Sequence, residues 1–349
     1  MKAYFPDKVS WQDSQGLYHA AAHLGQEALF ILRPATPYVC IGFHQDAKQE
    51  IDLEFARENK IPVIRREVGG GAVYLDGGQL FYQLILRADR SEVPAKKGEF
   101  YEKFLAPVIE TYREFGVDAR FKPVNDIIVN HRKISGNGAA EINGMIVLVG
   151  NFILDFDYEM MSKVLRVPDE KFRDKVFKTL QENLTTIERV TGSRPSTKAL
   201  ADVVLARYQH ILGDFPIQTD VDDELKRKSN ALFRSMYSPD WLYMNDRRQP
   251  DIKEVKISEG TYVIQKVVKT PGGLVRVNGV RKDDRLQEVH ISGDFFFYPA
   301  PRLEDLEFSL EGIQFDQHVI ENQIQLFYQQ YAIESPGLNP ADFAQIIAG

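Results

Sequence analysis

The chain has 349 residues, 44% hydrophobic and 27% charged, a globular composition long enough for two cores rather than one. A formal net charge of −7 weighs against a nucleic-acid partner, which favours a basic footprint. With one cysteine, Cys40, no disulfide within the chain is possible; no apolar run approaches a membrane span and the start carries no apolar signal region, so the expectation is a cytoplasmic protein without a membrane partner.

Segment 13–29, DSQGLYHAAAHLGQEAL, predicts an Ala-rich helix capped by Asp13 or Ser14. ALFILRP (28–34) and YVCIGF (38–43) predict short buried strands, and DLEFARENK (52–60) a helix capped by Asp52. PVIRRE (62–67) and AVYL (72–75) predict strands on either side of three consecutive glycines, with QLFYQLIL (79–86) as the next strand. A long helix is expected from Gly98 to Phe115. In the stretch 125–156, DIIV and KISG predict a hairpin with a tight turn at Asn130–His131, and MIVLVGNFILDF one long strand with a bulge at Gly150. From Met161 to Tyr237 the pattern is helical with charged faces.

YSPDWLYMNDRRQPD (237–251) is polar, has two prolines and no clean period, and predicts a hinge-like linker. Residues 254–299 alternate like antiparallel strands joined by glycine turns, and 303–312 and 316–331 predict helices. Strands and helices mixed without regular alternation place the chain in the α+β class. The expected domains are 1–245 and 246–349.

The chain has no Walker A pattern, no nucleotide-binding G-x-G-x-x-G, no H-E-x-x-H and no C-x-x-C pair. Two other segments carry chemistry. Gly69, Gly70 and Gly71 follow Arg65 and Arg66, and fit either a flexible hairpin tip or an anion cradle in which bare amides and guanidinium groups face a phosphate or carboxylate. In VNDIIVNHRKISGNG, a strand pair with a short turn brings Asp126 near Lys133: either a solvated surface hairpin, or a carboxylate for Mg2+ beside a point cation for an anionic substrate. Cys40 sits in an apolar run, which reads as a buried inert thiol. His19 and His23 share a helix face, but no further zinc ligands accompany them.

The segments RREVGGGAVYLDGGQLFYQL, IGFHQDAKQEID, NDIIVNHRKISGNGA and GNFILDFD together resemble the lipoate–protein ligase A family, within the biotin/lipoate protein ligase superfamily. EVHISGDFFF resembles the small accessory domain of that family. The resemblance implies a catalytic domain built on a mixed or antiparallel sheet with flanking helices, followed by a small α+β accessory domain. It implies activation of lipoate with ATP and Mg2+ to lipoyl-AMP and pyrophosphate, then transfer of the lipoyl group to a lysine of a lipoyl carrier. The carrier would be a glycine-cleavage H-like protein, a dehydrogenase E2 domain or a related protein, and the ligase a monomer. By resemblance Lys133 is the catalytic cation at the lipoate carboxyl and adenylate phosphate. Arg66, Gly69, Gly70, Gly71, Ala72, Val73, Tyr74, His44, Gln45 and Gly136 belong to the lipoyl side. Asn125, Asp126, Ser135, Gly78 and Gln79 belong to the nucleotide, with Asp126 on the metal.

Several positions depart from the family pattern: Phe43 stands for an arginine, Leu75 for a histidine, Gln79 for an asparagine, and Leu148–Asn151 for H-H-G-T. Apolar groups thus replace several polar pocket groups. An ATP-independent octanoyl or lipoyl transferase and a non-catalytic acyl-carrier binding module are the alternatives to the ligase.

Overall fold

A computed structural model describes residues 1–246, 248 and 260–349. The first half of the chain runs β1 (Lys2–Val9), α1 (Trp11–His23), β2 (Ala28–Pro34), β3 (Tyr38–Ile41), α2 (Ala47–Glu50), α3 (Leu53–Glu58), β4 (Val63–Arg65), β5 (Val73–Leu75) and β6 (Gln79–Arg87). It continues through α4 (Lys97–Glu114), β7 (Arg120–Lys122), β8 (Asp126–Val129), β9 (Arg132–Ser135), β10 (Asn137–Ile142) and β11 (Met145–Ile153). Helices follow as α5 (Tyr158–Val164), α6 (Glu170–Asn183), α7 (Ile187–Thr191) and α8 (Thr197–Leu212), then β12 (Ile217–Gln218), α9 (Asp223–Met236) and α10 (Pro239–Leu242). The last part is β13 (Thr261–Thr270), β14 (Gly273–Lys282), β15 (Arg285–Gly293), α11 (Arg302–Leu310), α12 (Gln317–Tyr331) and α13 (Pro340–Ala348).

The chain divides into two compact units. The first holds residues 1–40, 51–67 and 73–238; the second holds 41–50, 68–72 and 239–349. Two short pieces of the N-terminal half therefore pack with the C-terminal segment.

The first unit is built on a six-stranded sheet in the order β10-β11-β6-β2-β1-β12. The β1 pairings with β2 and β12 are parallel and the others antiparallel, so the sheet is mixed. One face carries Leu29, Leu80, Leu84 and Leu148 against Phe100, Phe104 and Tyr112 of α4 and Leu200, Val204 and Tyr208 of α8. Each such fully buried Leu or Phe contributes about 1.5–3 kcal/mol of hydrophobic stabilisation. Helix α1 packs on β2, β6 and β11, with α9 against it. Strand β6 is covered on both sides, which is why QLFYQLIL is a nearly continuous apolar run. Its two internal polar residues are both anchored: the Gln83 amide nitrogen donates to Ser14 O at 2.7 Å, and Tyr82 is bonded at its hydroxyl.

Two sequence expectations are corrected here. Helix α1 starts at Trp11, not beyond Asp13; Ser10 is the cap and accepts from Asp13 N at 3.0 Å, so Asp13 occupies the first turn, where a negative charge suits the helix dipole. Strand β11 has no bulge at Gly150. It keeps unbroken register with β6 and β10 through that residue. Glycine is required there because a Cβ would overlap the Tyr82 ring and hydroxyl and Asn137 Oδ1.

The second unit carries a three-stranded antiparallel sheet, β13-β14-β15, with α11, α12 and α13. Val275, Val277, Ile291, Phe295, Phe297, Leu306, Ile324, Phe343 and Ile347 form its core. Phe295 and Phe297 of the FFFYP stretch are thus core residues. The early part of the expected linker forms α10 and the turn after it. Residues 247, 249–251 of that linker, and the expected start of the strand run at 254–259, lie outside the described residues. Among the described residues no helix is long and apolar enough to cross a membrane.

Candidate active site

Asn130 and His131 both have positive φ, 47° and 65°, which makes the β8–β9 connection a two-residue hairpin turn whose twist matches its strands. Counting back from that turn, Lys133 lies opposite Ile128, on the strand face that also carries Asp126. The Lys133 Nζ is 2.6 Å from Asp126 Oδ1. About a third of each side chain is exposed, so the pair can meet a ligand.

Beyond Lys133 the register shifts by one residue, and Ser135 rather than Ile134 lies opposite Ile127. The bulge reverses which way Ser135 points. Lys133 stays on the open face, while Ser135 turns inward and is completely buried. There its hydroxyl lies 3.1 Å from Tyr82 OH and 3.2 Å from Asn137 Oδ1, and the Tyr82 hydroxyl also donates to Asn137. Burial holds the Tyr82 phenol above its usual range, against the hydrogen bond from Ser135, so it stays a neutral donor. Asn137 and Asn125 bond reciprocally, each side-chain amide donating to the other's backbone oxygen.

Gly136 joins β9, the edge of a three-stranded β7-β8-β9 sheet, to β10 of the six-stranded sheet. A Cβ there would stand 3.5 Å from Lys133 Cε and 3.8 Å from Nζ, so the end of Lys133 lies over the bare glycine. Gly136 N donates to Asn151 Oδ1 at 2.9 Å, Asn151 Nδ2 donates to Gln79 Oε1 at 2.7 Å, and Gln79 Nε2 donates to Tyr74 O at 3.1 Å. From α4, Tyr112 OH bonds Ile134 O at 2.8 Å and Asn151 O at 3.3 Å. Gly78 accepts from the amides of Leu154 and Asp155 and donates to Asp76 Oδ1 at 2.8 Å. Burial pushes the Tyr74 phenol up to about 12, with Asp76 and Asp157 adding to the effect.

Of the residues picked from sequence, Lys133, Asp126, Asn125, Ser135, Gly136, Gln79 and Tyr74 therefore come together around β9 and the start of β10 in the first unit, with Gly78 in the turn before Gln79. Val73 pairs with Cys40 across β5 and β3. Arg66 Nη1 donates to Cys40 O at 3.2 Å, and Arg65 is fully buried. Cys40 is also fully buried; desolvation raises its thiol pKa, against the lowering effect of Arg66.

His44, Gln45 and Gly69–Ala72 belong to the second unit. Gly70 adopts φ +87°, which favours glycine, and its N donates to Phe295 O at 3.3 Å. A Cβ on Gly69 would stand 3.0 Å from Phe295 O and from the Phe296 ring, and one on Gly42 would overlap Gly70 O. The glycines thus permit close approach of the chain's own backbone. His44 stacks on Phe295 with the ring planes 3° apart, and its O accepts from Gly293 N at 3.0 Å. Asp46 accepts from Ser292 and lies 3.2 Å from His290 Nε2.

Sequence reading missed Tyr82, Asn137 and Tyr112 around the Lys133 loop, and noted Asn151 only as a departure. The available signal was a lone polar residue inside an apolar strand, as in LFYQLIL and LVGNF. Among the described residues no group of three or more His, Cys, Asp or Glu side chains could hold a metal ion. Asp126 is a single carboxylate shared with Lys133, a donor set that suits Mg2+ only where substrate phosphates supply further ligands. His19 and His23 both turn to Glu67, at 3.7 Å and 3.0 Å from its Oε2.

Residues 9–209 match the lipoyl protein ligase A/B catalytic domain, and residues 260–347 the bacterial lipoate protein ligase C-terminus. The lipoate-protein ligase LplJ of Bacillus subtilis (strain 168) is 26% identical over 313 residues, 88% of either chain. The octanoyltransferase LipM of Kyrpidia tusciae is 22% identical over 229 residues, 59% of this chain and 83% of the relative. A structure of a bipartite lipoate protein ligase and its E2 lipoyl domain from Thermoplasma acidophilum is similar at TM-score 0.60 and 25% identity, over 70% of this chain and 96% of that one. LipL1 of P. falciparum, in complex with lipoate, is similar at TM-score 0.69 over 95% of each chain; at 16% identity that likeness concerns the fold.

Proposed function

We propose, from the premise that this chain belongs to the lipoyl protein ligase A/B catalytic-domain family, that it is an ATP-dependent lipoate–protein ligase. It is an enzyme of the lipoate ligase and transferase class. The observation that carries the finer reading is the partly exposed Lys133 ammonium, held over Gly136 beside Asp126.

In the first step a lipoate carboxylate oxygen attacks the α-phosphorus of ATP. A new O–P bond forms and the bond to pyrophosphate breaks. Two anions must meet, and Lys133 offsets their repulsion where charge develops. Asn125 and Asp126 hold the nucleotide side of this site. A magnesium ion on Asp126 and the phosphates would supply further neutralisation of the phosphate charge. In the second step the neutral amine of a carrier lysine attacks the acyl carbonyl. The C–N bond forms, AMP leaves with the former carboxylate-to-phosphorus oxygen, and the amine gives up a proton. Lys133 donates to the carbonyl oxygen as its charge builds. The resemblance assigns the acyl chain to Arg66, Gly69–Ala72, Val73 and Tyr74, with His44 and Gln45, and the carrier to the lipoyl-domain class, as for the Thermoplasma ligase.

Purified full-length protein with Mg2+ and ATP should catalyse lipoate-dependent exchange of label between pyrophosphate and ATP, and should lipoylate an added E2 lipoyl domain. Carrier binding without exchange would instead favour a binding module, and acyl transfer from an acylated carrier without ATP a transferase. The similarity to an octanoyltransferase makes the transferase the second reading. Cys40 separates the two where a thiol nucleophile is concerned, because it is the chain's one cysteine and is buried with a raised pKa. Cys40→Ala is expected to keep exchange activity within about twofold, its cost being limited to about 1 kcal/mol of packing. Loss of all acyl transfer in a folded Cys40→Ala protein would point to the thiol mechanism.

A further inference from the structure

We propose that Asn151 is a positioning residue for Lys133, acting through the backbone of Gly136 and anchored by Gln79. The proposal rests on the reading of Lys133 as the cation of adenylate formation. Asn151 lies on β11, where it pairs with Phe81 of β6, and it is 9% exposed; Gln79, opposite Ile153, is 1% exposed.

The direction of this hydrogen-bond chain is forced at both ends. Gly136 N–H can only donate, so Asn151 must present Oδ1 to it. That leaves Nδ2 for Gln79, whose Oε1 accepts it. Gln79 then has only Nε2 to offer Tyr74 O, which can only accept. Neither amide can flip without breaking bonds at both of its ends, and in this buried place an unmade bond is costly. The junction after Lys133 is therefore held to β6 and to the residue preceding Leu75. Since the end of Lys133 rests 3.5–3.8 Å from the site of a Gly136 Cβ, moving Gly136 moves the floor under the ammonium.

Two positions that depart from the family pattern, Gln79 and Asn151, thus meet in one hydrogen bond. They act as a matched pair: a longer amide on β6 reaches an amide on β11, and that amide reaches Gly136. Neither touches the reacting atoms in this role.

The test compares full-length wild-type, Asn151→Ala and Asn151→Asp proteins by lipoate-dependent pyrophosphate exchange, thermal midpoint and the 13Cε resonance of Lys133. In Asn151→Ala, kcat should fall roughly tenfold to a hundredfold, the loss that a small misplacement brings, with KM for lipoate within about twofold. The Lys133 resonance should move, reporting a changed setting of the side chain. Asn151→Asp keeps an acceptor for Gly136 N but loses the donor to Gln79 Oε1, so it should recover part of the kcat lost in Asn151→Ala while Gln79 keeps its bond to Tyr74 O. Wild-type kcat and an unmoved Lys133 resonance in Asn151→Ala would overturn the proposal. Equal losses in both variants with a fallen thermal midpoint would also overturn it, since they show packing alone. An absence of exchange in the wild type would instead defeat the functional reading, and the Lys133 resonance would still decide whether Asn151 positions that side chain.

Discussion

Lys133→Ala is expected to lower lipoate-dependent pyrophosphate exchange by roughly 10²–10³-fold, the scale on which removal of one preorganised charge-stabilising donor acts. The actual loss should lie at the upper end. Without the ammonium, the Asp126 carboxylate 2.6 Å away would face the substrate's own anions uncompensated. The fold should not suffer. The pair is about one-third exposed, and such pairs contribute about 0–1 kcal/mol, so the thermal midpoint should move by only a few degrees. Exchange at the wild-type rate in folded Lys133→Ala protein would remove Lys133 from the mechanism.

The second large effect belongs to the second unit. His290 lies 1% exposed between Asp46, 3.2 Å from Nε2, and Glu307, 3.5 Å from Nδ1. Ser292 donates to Asp46, Ile291 N donates to Glu307 Oε1 at 2.6 Å, and Arg248 pairs with Glu307. Burial pulls the imidazole pKa down, but the hydrogen bond to Asp46 and the nearby carboxylates of Asp46 and Glu307 outweigh it and raise the value to about 9. The folded value lies above the unfolded value of about 6.5. The ion pair's contribution is thus complete below about pH 6.5 and is lost as pH rises through about 9. Its full size is about 3 kcal/mol at 1.36 kcal/mol per unit.

The second unit of the wild type should accordingly lose stability between pH 7 and pH 10, while His290→Gln should show a flatter alkaline limb. Parallel limbs in the two proteins would rule the linkage out. Asp46→Ala should be the harsher change at pH 7, about 3–5 kcal/mol, because it leaves the buried imidazolium with Glu307 alone and takes the acceptor from the Ser292 hydroxyl. Asp46 sits in the IGFHQD segment, far in sequence from His290, so the same substitution should also loosen the His44–Gln45 loop. Hydrogen exchange at Gly42–Asp46 and Gly69–Gly71 would report it.

Much of this was legible in the sequence. Near-continuous apolar runs gave β2, β6 and β11 their places, Asp52 capped α3 as a short polar side chain before a helix should, and the spacing of Asp126, Asn130–His131 and Lys133 sufficed for the hairpin that brings carboxylate and ammonium together. Those features are local: they depend on residues a few places apart and on backbone preferences each residue carries with it. Other features were not local. A glycine in a strand looks the same whether it marks a bulge or makes room for a neighbouring side chain, and Gly150 does the second because Tyr82 of β6 lies beside it. Lys133 and Ser135, two apart in an ideal strand, should share a face; one extra residue in β9 parts them, leaving Lys133 open and Ser135 buried on Tyr82.

By itself the sequence determined the α+β class and the family, and singled out the lysine, glycines and carboxylate on which the proposed function rests. Only the tertiary structure decided how those residues are held. It joined Gln79, Asn151 and Gly136 into one directed chain of hydrogen bonds, and it packed residues 41–50 and 68–72 with the C-terminal segment around Asp46 and His290. The reason is physical: a buried polar group must find a partner, and which partner it finds depends on the strands and loops that folding brings beside it, not on its neighbours along the chain.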